Sequence, residues 1–312
     1  MKIAIDIMGG DFAPDANISG AIEARKELPE ECTIVLLGDE QVILESLRKH
    51  NGDPDQFEIV PTVGVVTMND HPARVISQKP DSSLVKGFKL LAAGEINCFA
   101  STGNTGAMLA GSMLVINTIP GVIRPCITSS IPRPDGKHNL VLDVGSNADC
   151  KPDVLYQFAI LGNIYAKLIL GFDKPKVGLL NIGEEEEKGN LLTQSAHKLM
   201  KDTDDFHFIG NVESRYIFED YADVIVCDGF TGNVILKEAE GIFKLIKKRG
   251  IEDEYFNKFN YENYGGTPIL GINSNVIIGH GISSGKAVKN MLVLSYEVTK
   301  NKLSSKIKEL FK

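Results

Sequence analysis

The sequence predicts an α/β fold: a three-layer α/β/α sandwich with a mostly parallel β-sheet. Short apolar segments rich in Val, Ile and Phe alternate with longer segments of helical periodicity, a rhythm typical of parallel strands joined by helices. The strand segments are almost continuously apolar, which predicts helices on both faces of the sheet. The chain has 312 residues, 43% of them hydrophobic, so it is long enough to bury a sizeable core.

The predicted elements alternate in order along the chain. Strands are predicted over residues 2–8, 33–37, 57–60, 96–100, 140–144, 177–182 and 223–227. Helices are predicted over residues 15–28, 41–49, 83–93, 104–117, 152–170, 190–201, 232–248 and 284–311. Capping residues precede two of these helices, at 81–83 and 102–105, and Pro152 suits a first helical turn. Neither an internal repeat nor a Pro- or Ser-rich linker marks a domain boundary.

Charge and composition exclude several classes of protein. The formal net charge of -8 argues against a general nucleic-acid binder, which needs a clustered basic surface. The five cysteines lie far apart without a CxxC pair, so neither a disulfide framework nor a zinc site is indicated. No apolar run approaches the ~20 residues of a membrane span, and the N-terminus lacks the pattern of a signal peptide. We therefore expect a cytoplasmic protein.

Loops rich in glycine and polar residues follow five of the predicted strands, at residues 8–11, 101–106, 143–147, 181–183 and 228–233. The carboxyl ends of parallel strands meet at one edge of a sheet, where ligands bind, and glycine loops before helix N-termini suit phosphate. One such loop alone is more often a tight turn with a helix cap, but the set predicts an anion site. Neither the Walker pattern nor a first-strand GxGxxG occurs, which disfavours a nucleoside triphosphate or a Rossmann-bound dinucleotide.

Two side chains stand out beside these loops. Lys188 ends a run of four glutamates between a strand and a helix. The run fits a solvated helix start matched to the helix dipole, whereas a functional Lys188 would neutralise a phosphate or protonate a departing thiolate. His280 lies at a strand-to-helix junction near the C-terminus, where capping or a core hydrogen bond is the commoner role. No HExxH motif or close histidine pair indicates a metal.

Taken together, the motifs resemble those of one known family nearly from end to end. They are IDIMGGDFAP (5–14), Arg74 and Lys79 with Ser82 and Ser83, STGNTGA (101–107), DVGSNADCKP (143–152), GLLNIGEEEEKGN (178–190), IGNVE (209–213), DGFTGN (228–233) and YGG (264–266). The chain is similar to the bacterial phosphate acyltransferases of phospholipid synthesis, which make acyl phosphate from acyl-acyl carrier protein and inorganic phosphate. The resemblance implies a fold similar to that of isocitrate and isopropylmalate dehydrogenases and of phosphotransacetylase.

The resemblance also implies roles for individual residues. The catalytic residues are expected to be Lys188 and Asn233. Phosphate or substrate binding is expected of Gly9, Gly10, Asp11, Ser101, Gly103, Asn104, Thr105, Gly106, Asp143, Gly145 and Asn147, with Arg74, Lys79 and His280 as further candidates. The family usually has His after GGD, where this chain has Phe12, so no catalytic His is expected there. Cys227 stands where relatives commonly have another small residue, which argues against a cysteine acyl-enzyme.

We expect a single α/β catalytic domain over residues 1–312. The largest departure from the family lies in residues 238–263, where relatives usually carry a long amphipathic hairpin associated with dimer contacts and membrane association. This chain has only a shortened helical insertion there. Lys286–Lys312 holds seven Lys against two Glu, and residues 244–249 add four cations. These basic segments predict contact with an acidic carrier protein and peripheral association with anionic membrane, against the alternative of a solvated lysine face.

The sequence thus predicts an acyltransferase that uses acyl carrier protein and inorganic phosphate, as a homodimer and without a cofactor or a metal. Phosphate is itself the nucleophile, so the site need only hold it beside the thioester carbonyl and stabilise the oxyanion. Three alternatives stay open: a coenzyme A-dependent phosphotransacetylase, an NAD-dependent dehydrogenase of the related fold, and a non-catalytic scaffold of lipid synthesis. No nucleotide pocket or metal-binding Asp cluster is apparent for the first two.

Overall fold

Strands and helices alternate along residues 1–311, the part of the chain that the computed structural model describes. The strands are β1 (Lys2–Asp6), β2 (Thr33–Gly38), β3 (Glu58–Pro61), β4 (Cys98–Ser101), β5 (Cys126–Pro132), β6 (His138–Leu142), β7 (Lys176–Asn181), β8 (His207–Glu213), β9 (Val224–Val226), β10 (Thr267–Leu270) and β11 (Asn275–Ile278). The helices are α1 (Asp15–Glu27), α2 (Glu40–Lys49), α3 (Pro72–Gln78), α4 (Ser83–Ala92), α5 (Thr105–Gly111), α6 (Pro152–Leu168), α7 (Leu191–Met200), α8 (Gly229–Lys248), α9 (Glu254–Asn257), α10 (Gly285–Lys300) and α11 (Leu303–Leu310).

These elements form two compact units, each described separately below. The first unit comprises Met1–Ile119 and Tyr261–Lys308, and the second comprises Pro120–Asn260 with the chain end from Glu309. No change in composition marks any of the three crossing points, so the sequence gives no sign of this division. The expectation of one catalytic domain stays a prediction.

The first unit is built on a mostly parallel sheet in the order β3-β2-β1-β4-β11-β10. Only β10, paired to β11, runs antiparallel among the described strands of this unit. Successive residues of a strand point to opposite faces, and Ile3, Ala4 and Ile5 of β1 are all 0% exposed. Both faces of the sheet are therefore covered.

The second unit repeats this plan with the order β5-β6-β9-β7-β8. Strand β5 is antiparallel to β6, and the other described pairs are parallel. Residues Val224–Val226 of β9 are all 0% exposed, so this sheet is also covered on both faces. The predicted mixed, mostly parallel α/β architecture is confirmed.

Two predicted helices are each divided in the structure, and α8 begins three residues before its predicted start at 232. The helix predicted over 284–311 is two helices, α10 and α11, because the chain breaks at Asn301 and Lys302, where Lys302 adopts a φ of +56°. The helix predicted over 104–117 is α5 followed by a π-helical turn at Ser112–Ile116. Gly111 at that junction packs against the ring of Phe88, where a Cβ would stand 2.2 Å from a ring carbon.

Four strands and one helix were not predicted. They are β5, β8, β10, β11 and α3. Strand β5 carries Thr128, Ser129 and Ser130 among its apolar residues, β10 contains Pro268, and β8 contains Gly210 at a φ of +98°. Each of these features lowers the strand signal in a sequence. Residues 238–263, predicted as a shortened insertion, contain the end of α8, α9 and a 3-10 turn at Tyr261–Asn263.

The five cysteines are all free thiols, and four of them are buried: Cys32, Cys98, Cys126 and Cys227. Burial raises the pKa of every one of the five, to about 12 for Cys98 and Cys150. Within residues 1–311, no helix combines the length and apolar character that crossing a bilayer requires.

Candidate active site

The first unit brings three loops together at the carboxyl ends of β1, β4 and β11, which are neighbouring parallel strands. The loop after β1 contains Gly9, Gly10 and Asp11. Asn17 fixes this loop from α1, because its side-chain amide donates to the carbonyls of Ile7 at 2.9 Å and Gly9 at 2.8 Å. One side chain thus holds the backbone of the predicted anion loop.

The neighbouring loops fix the same segment from the other side. The hydroxyl of Thr102 donates to the Gly9 carbonyl at 2.9 Å, and the Asp11 amide donates to the Gly281 carbonyl at 2.7 Å. Gly10 has a φ of +99°, and a Cβ there would stand 2.6 Å from the Thr102 hydroxyl. Only glycine fits this position without strain or a clash.

A buried carboxylate, Asp6, lies beneath these loops. It accepts hydrogen bonds from the hydroxyls of Ser83 at 2.6 Å and Ser101 at 2.9 Å, and from the Met8 amide at 3.1 Å. Burial raises the pKa of Asp6, although these hydrogen bonds oppose the shift. Ser101 also accepts from the Gly103 amide at 2.9 Å. Sequence reasoning missed Asp6, whose signal is an acid within an otherwise apolar strand.

The loop after β4 ends at Asn104, and Thr105 and Gly106 are the first two residues of α5. The side-chain oxygen of Asn104 caps α5 at the Ala107 amide, at 3.0 Å. Its amide group donates to three backbone carbonyls of the segment 67–70. The Asn104 side chain therefore ties two loops together, while Thr105 is exposed and Gly106 packs against Pro72 of α3.

The further candidates Lys79, Arg74 and His280 have different surroundings. The Lys79 ammonium group bonds the Asp70 carboxylate at 2.6 Å and the Val65 carbonyl at 2.8 Å. This ammonium group, with the Thr67 amide, lowers the pKa of Asp70 to about 2. Arg74 is exposed on α3, and the His280 ring packs against the Tyr261 ring at 4.9 Å.

In the second unit, Asp143 organises the loop after β6. Its two carboxylate oxygens accept from the amides of Ile127 at 3.0 Å and Asn147 at 2.6 Å, and from the Ser146 hydroxyl at 2.7 Å. Asp143 and Asn147 are buried, whereas Gly145 is exposed at the tip of the loop. Asp143 therefore shapes the turn and leaves the Gly145 backbone at the surface.

Helix α8 begins against this turn. Its cap is Asp228, which accepts from the Thr231 amide at 2.8 Å. Asn233 does not cap α8, because it is the fifth residue of the helix. Gly232 touches the Asp143 carbonyl so closely that a Cβ would stand 2.0 Å from the oxygen. This close approach brings the first turn of α8, with Asn233, beside Gly145.

Lys188 lies in the loop between β7 and α7, whose backbone is fixed by three side-chain amides. Asn181 donates to the Lys188 carbonyl at 3.1 Å, Gln194 to the Glu187 carbonyl at 2.7 Å, and Asn211 to the Glu185 carbonyl at 2.7 Å. Strand β9 pairs in parallel with both β6 and β7, so the loops carrying Asp143, Asn233 and Lys188 leave the same edge of this sheet.

Two polar groups at that edge have no protein partner. Within residues 1–311, neither the Lys188 ammonium group nor the Asn233 side-chain amide makes a hydrogen bond or an ion pair. The neighbouring Lys201 is instead paired with Glu186 at 2.6 Å. A cation and an amide donor near the positive end of a twenty-residue helix can bind an anion and stabilise a developing oxyanion.

Cys227, at the end of β9, is buried, and its thiol donates to the Asp143 carbonyl at 3.5 Å. Burial and the nearby Asp228 and Asp143 carboxylates raise its pKa well above the ordinary value. The thiol is therefore protonated, which is the opposite of what an acyl-accepting cysteine needs.

Known proteins are similar to this chain over nearly its whole length. The model of one protein family, described as fatty acid synthesis protein, matches residues 1–306. The phosphate acyltransferase of Dictyoglomus thermophilum is 41% identical over 328 aligned residues, covering 99% of this chain and 97% of the relative. The phosphate acyltransferase of Clostridioides difficile is 40% identical and covers 99% and 96%.

Solved structures with the same fold include two phosphotransacetylases. The EutD phosphotransacetylase from Staphylococcus aureus matches with a TM-score of 0.64 at 17% identity, covering 96% of this chain and 94% of its own. A phosphotransacetylase from Streptococcus pyogenes matches with a TM-score of 0.65 at 16% identity and the same coverage. At such identities the likeness concerns the fold alone.

Proposed function

The chain belongs to the phosphate acyltransferase family and is an enzyme that transfers an acyl group to phosphate in phospholipid synthesis, and we propose that its acyl donor is acyl-acyl carrier protein. The observation that carries the assignment of a site is the pair of unpartnered polar groups, Lys188 and Asn233, at the sheet edge of the second unit.

In the proposed reaction a phosphate oxygen attacks the thioester carbonyl. A carbon–oxygen bond forms, the carbon–sulfur bond breaks, and the leaving thiolate takes up a proton to give the free carrier thiol. The Lys188 ammonium group would bind the phosphate or supply that proton. The Asn233 amide would donate to the carbonyl oxygen as it becomes an oxyanion. Both groups are free to do so because no protein group occupies them.

The loops of the first unit would serve phosphate or substrate binding through their backbone. The side chains of Ser101 and Asn104 are engaged within the protein, whereas Asp11 and Thr105 are exposed. The hydrogen bonds from Asn17 and Thr102 to the Gly9 carbonyl support a fixed loop rather than a mobile turn. Binding at Gly9, Gly103, Gly106, Asp143, Gly145 and Asn147, or at Arg74, Lys79 and His280, stays a proposal.

The remaining proposals concern assembly and ancestry. We propose a homodimer that meets an acidic carrier protein, and anionic membrane peripherally, through its basic segments, because attraction between opposite charges steers such partners. For the fold, a relation to isocitrate and isopropylmalate dehydrogenases is proposed alongside the phosphotransacetylase likeness.

The function is tested by assaying phosphate-dependent release of carrier thiol from acyl-acyl carrier protein, with acyl-coenzyme A as the comparison donor. We expect thiol release to require phosphate. At equal donor concentration, it should be faster with acyl-acyl carrier protein than with acyl-coenzyme A. Equal or faster turnover of acyl-coenzyme A would assign the enzyme to the phosphotransacetylase type instead.

A further inference from the structure

The second unit contains an apolar cavity outside the site described above. Its volume is about 230 Å³. Helix α8 lines one side with Ala239 and Ile246, and an aromatic wall lines the other, formed by Phe218, Tyr255, Phe256 and Phe259. The Tyr255 hydroxyl donates to the Pro132 carbonyl at 3.1 Å, so its polar end is satisfied by the protein. The cavity offers a ligand almost nothing except hydrocarbon contact.

The aromatic wall is a packed layer. The Phe218 and Phe259 rings are 5.7 Å apart, and the Tyr255 and Phe259 rings are 5.4 Å apart at 90°. Rings at these distances and angles support one another. The wall therefore has its own contacts and does not require a ligand to form, which is the property of a largely pre-formed binding site.

Helix α8 connects this cavity with the candidate active site. Gly232, against the Asp143 carbonyl, is followed on the same face by Ala239 and then by Ile246, each seven residues on. Residues seven apart lie two turns apart on one helix face. One row of the helix thus contains both the contact with the Asp143 carbonyl, next to Asn233, and two residues of the cavity lining.

The dimensions suit a long hydrocarbon chain. Seven residues of helix rise by about 10 Å. An extended hydrocarbon chain advances about 1.2 Å per bond, the same as an extended polypeptide, in which three bonds span one residue. A chain of about nine carbons therefore reaches from the site to the cavity. An apolar cavity of about 150 Å³ accepts the six carbons of benzene. By proportion, the cavity of about 230 Å³ holds about nine carbons, in addition to those that span the distance from the site.

We propose that this cavity binds the distal half of the substrate's acyl chain, and so selects donors of about sixteen to eighteen carbons. The proposal rests on the active site proposed above at Lys188 and Asn233, because the thioester carbonyl must lie at the start of α8. An apolar chain leaving that point otherwise lies in water, at a cost that grows with each methylene. The cavity removes that cost for long chains alone.

The first experiment measures chain binding without turnover. The protein contains no Trp, so Phe256→Trp places a single fluorophore in the cavity. The probe is octadecanoate brominated at carbons 9 and 10, used below its micelle concentration, with brominated hexanoate as the short comparison. We expect saturable quenching by the long probe alone. Leu245→Trp, on an exposed part of α8 that does not line the cavity, should show no saturable quenching.

The second experiment measures selectivity in the otherwise intact enzyme. Ala239→Phe fills the cavity and should lower kcat/KM for donors of sixteen to eighteen carbons by about tenfold or more. Donors of four to eight carbons should change less than about twofold, since such chains end before the cavity. Leu245→Phe adds similar volume elsewhere and should alter neither class, and Ile246→Trp repeats the test if Ala239→Phe does not fold.

Two results would overturn the proposal. One is an Ala239→Phe enzyme, folded by circular dichroism, that loses long and short donors equally. The other is Phe256→Trp fluorescence that ignores the brominated chain but changes with protein concentration, which would assign the cavity to contact with a second copy of the chain. If the unaltered enzyme turns over no donor, the proposed function fails instead, and the quenching experiment still reports on the cavity.

Discussion

The side-chain oxygen of Asn233 lies 3.5 Å from the point at which a Cβ on Gly145 would stand. Gly145 has a φ of +120°, so Gly145→Ala strains the backbone and also fills the space before the Asn233 amide. We expect a loss of about 1–3 kcal/mol in unfolding free energy together with a large fall in turnover. Gly210→Ala is the matched control, since Gly210 has a φ of +98° with nothing near its Cβ position. It should lose comparable stability and keep its turnover. Equal activities of the two variants would contradict a role for the Gly145 backbone.

Asn233→Ala separates catalysis from helix capping. Because Asp228 caps α8, removing the Asn233 amide should leave thermal stability nearly unchanged and lower turnover about a hundredfold or more, the usual effect of losing one oxyanion donor. Asp228→Ala should show the complementary result, a loss of about 1 kcal/mol in stability. A stable Asn233→Ala enzyme with normal turnover would remove Asn233 from the mechanism.

Lys188→Ala should abolish turnover while leaving the melting temperature unchanged, because the side chain is exposed and unpaired within residues 1–311. Lys201→Ala is the control from the same region. It breaks the exposed ion pair with Glu186, which should change the stability little and leave turnover unaltered. Near-normal activity of Lys188→Ala would make the Glu-rich loop a solvated helix start.

The buried carboxyl of Asp6 should leave a signature in the pH dependence of stability. Its pKa in the folded protein is raised above 3.8 by burial, so the folded state keeps the proton to a higher pH than the unfolded chain does. The unfolding free energy of the wild type should therefore fall, relative to Asp6→Asn, as the pH rises through that interval. Urea titrations from pH 3.5 upwards measure this difference, with the exposed Asp55→Asn as control. A wild type that gains stability over the same interval would show that the Ser83 and Ser101 hydroxyls dominate over burial.

The basic segments can be tested by charge removal. One variant replaces Lys247, Lys248 and Arg249 by Gln, and another replaces Lys300, Lys302, Lys306 and Lys308. At low salt we expect weaker apparent affinity for acyl carrier protein and less co-sedimentation with anionic liposomes, with little change in maximal rate. The first variant should lose less affinity than its three removed charges imply, because the charge of Lys247 is already paired with Glu252 at 2.9 Å. If neither variant alters either measurement, these charges only keep the protein soluble.

Strand segments and most helices could be predicted because their signals are local. Apolar runs identify β1, β2 and β9, and cap residues identify the start of α4. The start of α8 was misplaced because Gly229 and Gly232 read as turn residues, whereas they are glycines so that the helix can touch the Asp143 loop. That contact joins residues about ninety positions apart, and local patterns carry no such information.

Local sequence patterns also predict only part of the candidate site. Lys188, Asn233 and the glycine loops stand out as motifs, but nothing in the sequence shows that the amides of Asn17, Asn181 and Asn211 hold those loops by their carbonyls. An amide in a sequence gives no sign of which backbone oxygen it will reach. The division into two units was equally hidden, since it depends on which strands pair and not on the composition of any linker.

Because the buried thiols are protonated, their rate of chemical labelling reports how often the surrounding structure opens. A thiol reacts with an alkylating agent as the thiolate, so buried cysteines of raised pKa should be labelled only when the surrounding structure opens. Cys32 and Cys98 report on the first unit, and Cys126 and Cys227 on the second. Mass spectrometry after pulsed alkylation would therefore time the opening of each unit separately, and a substrate that protects only Cys126 and Cys227 would reveal which unit it stabilises.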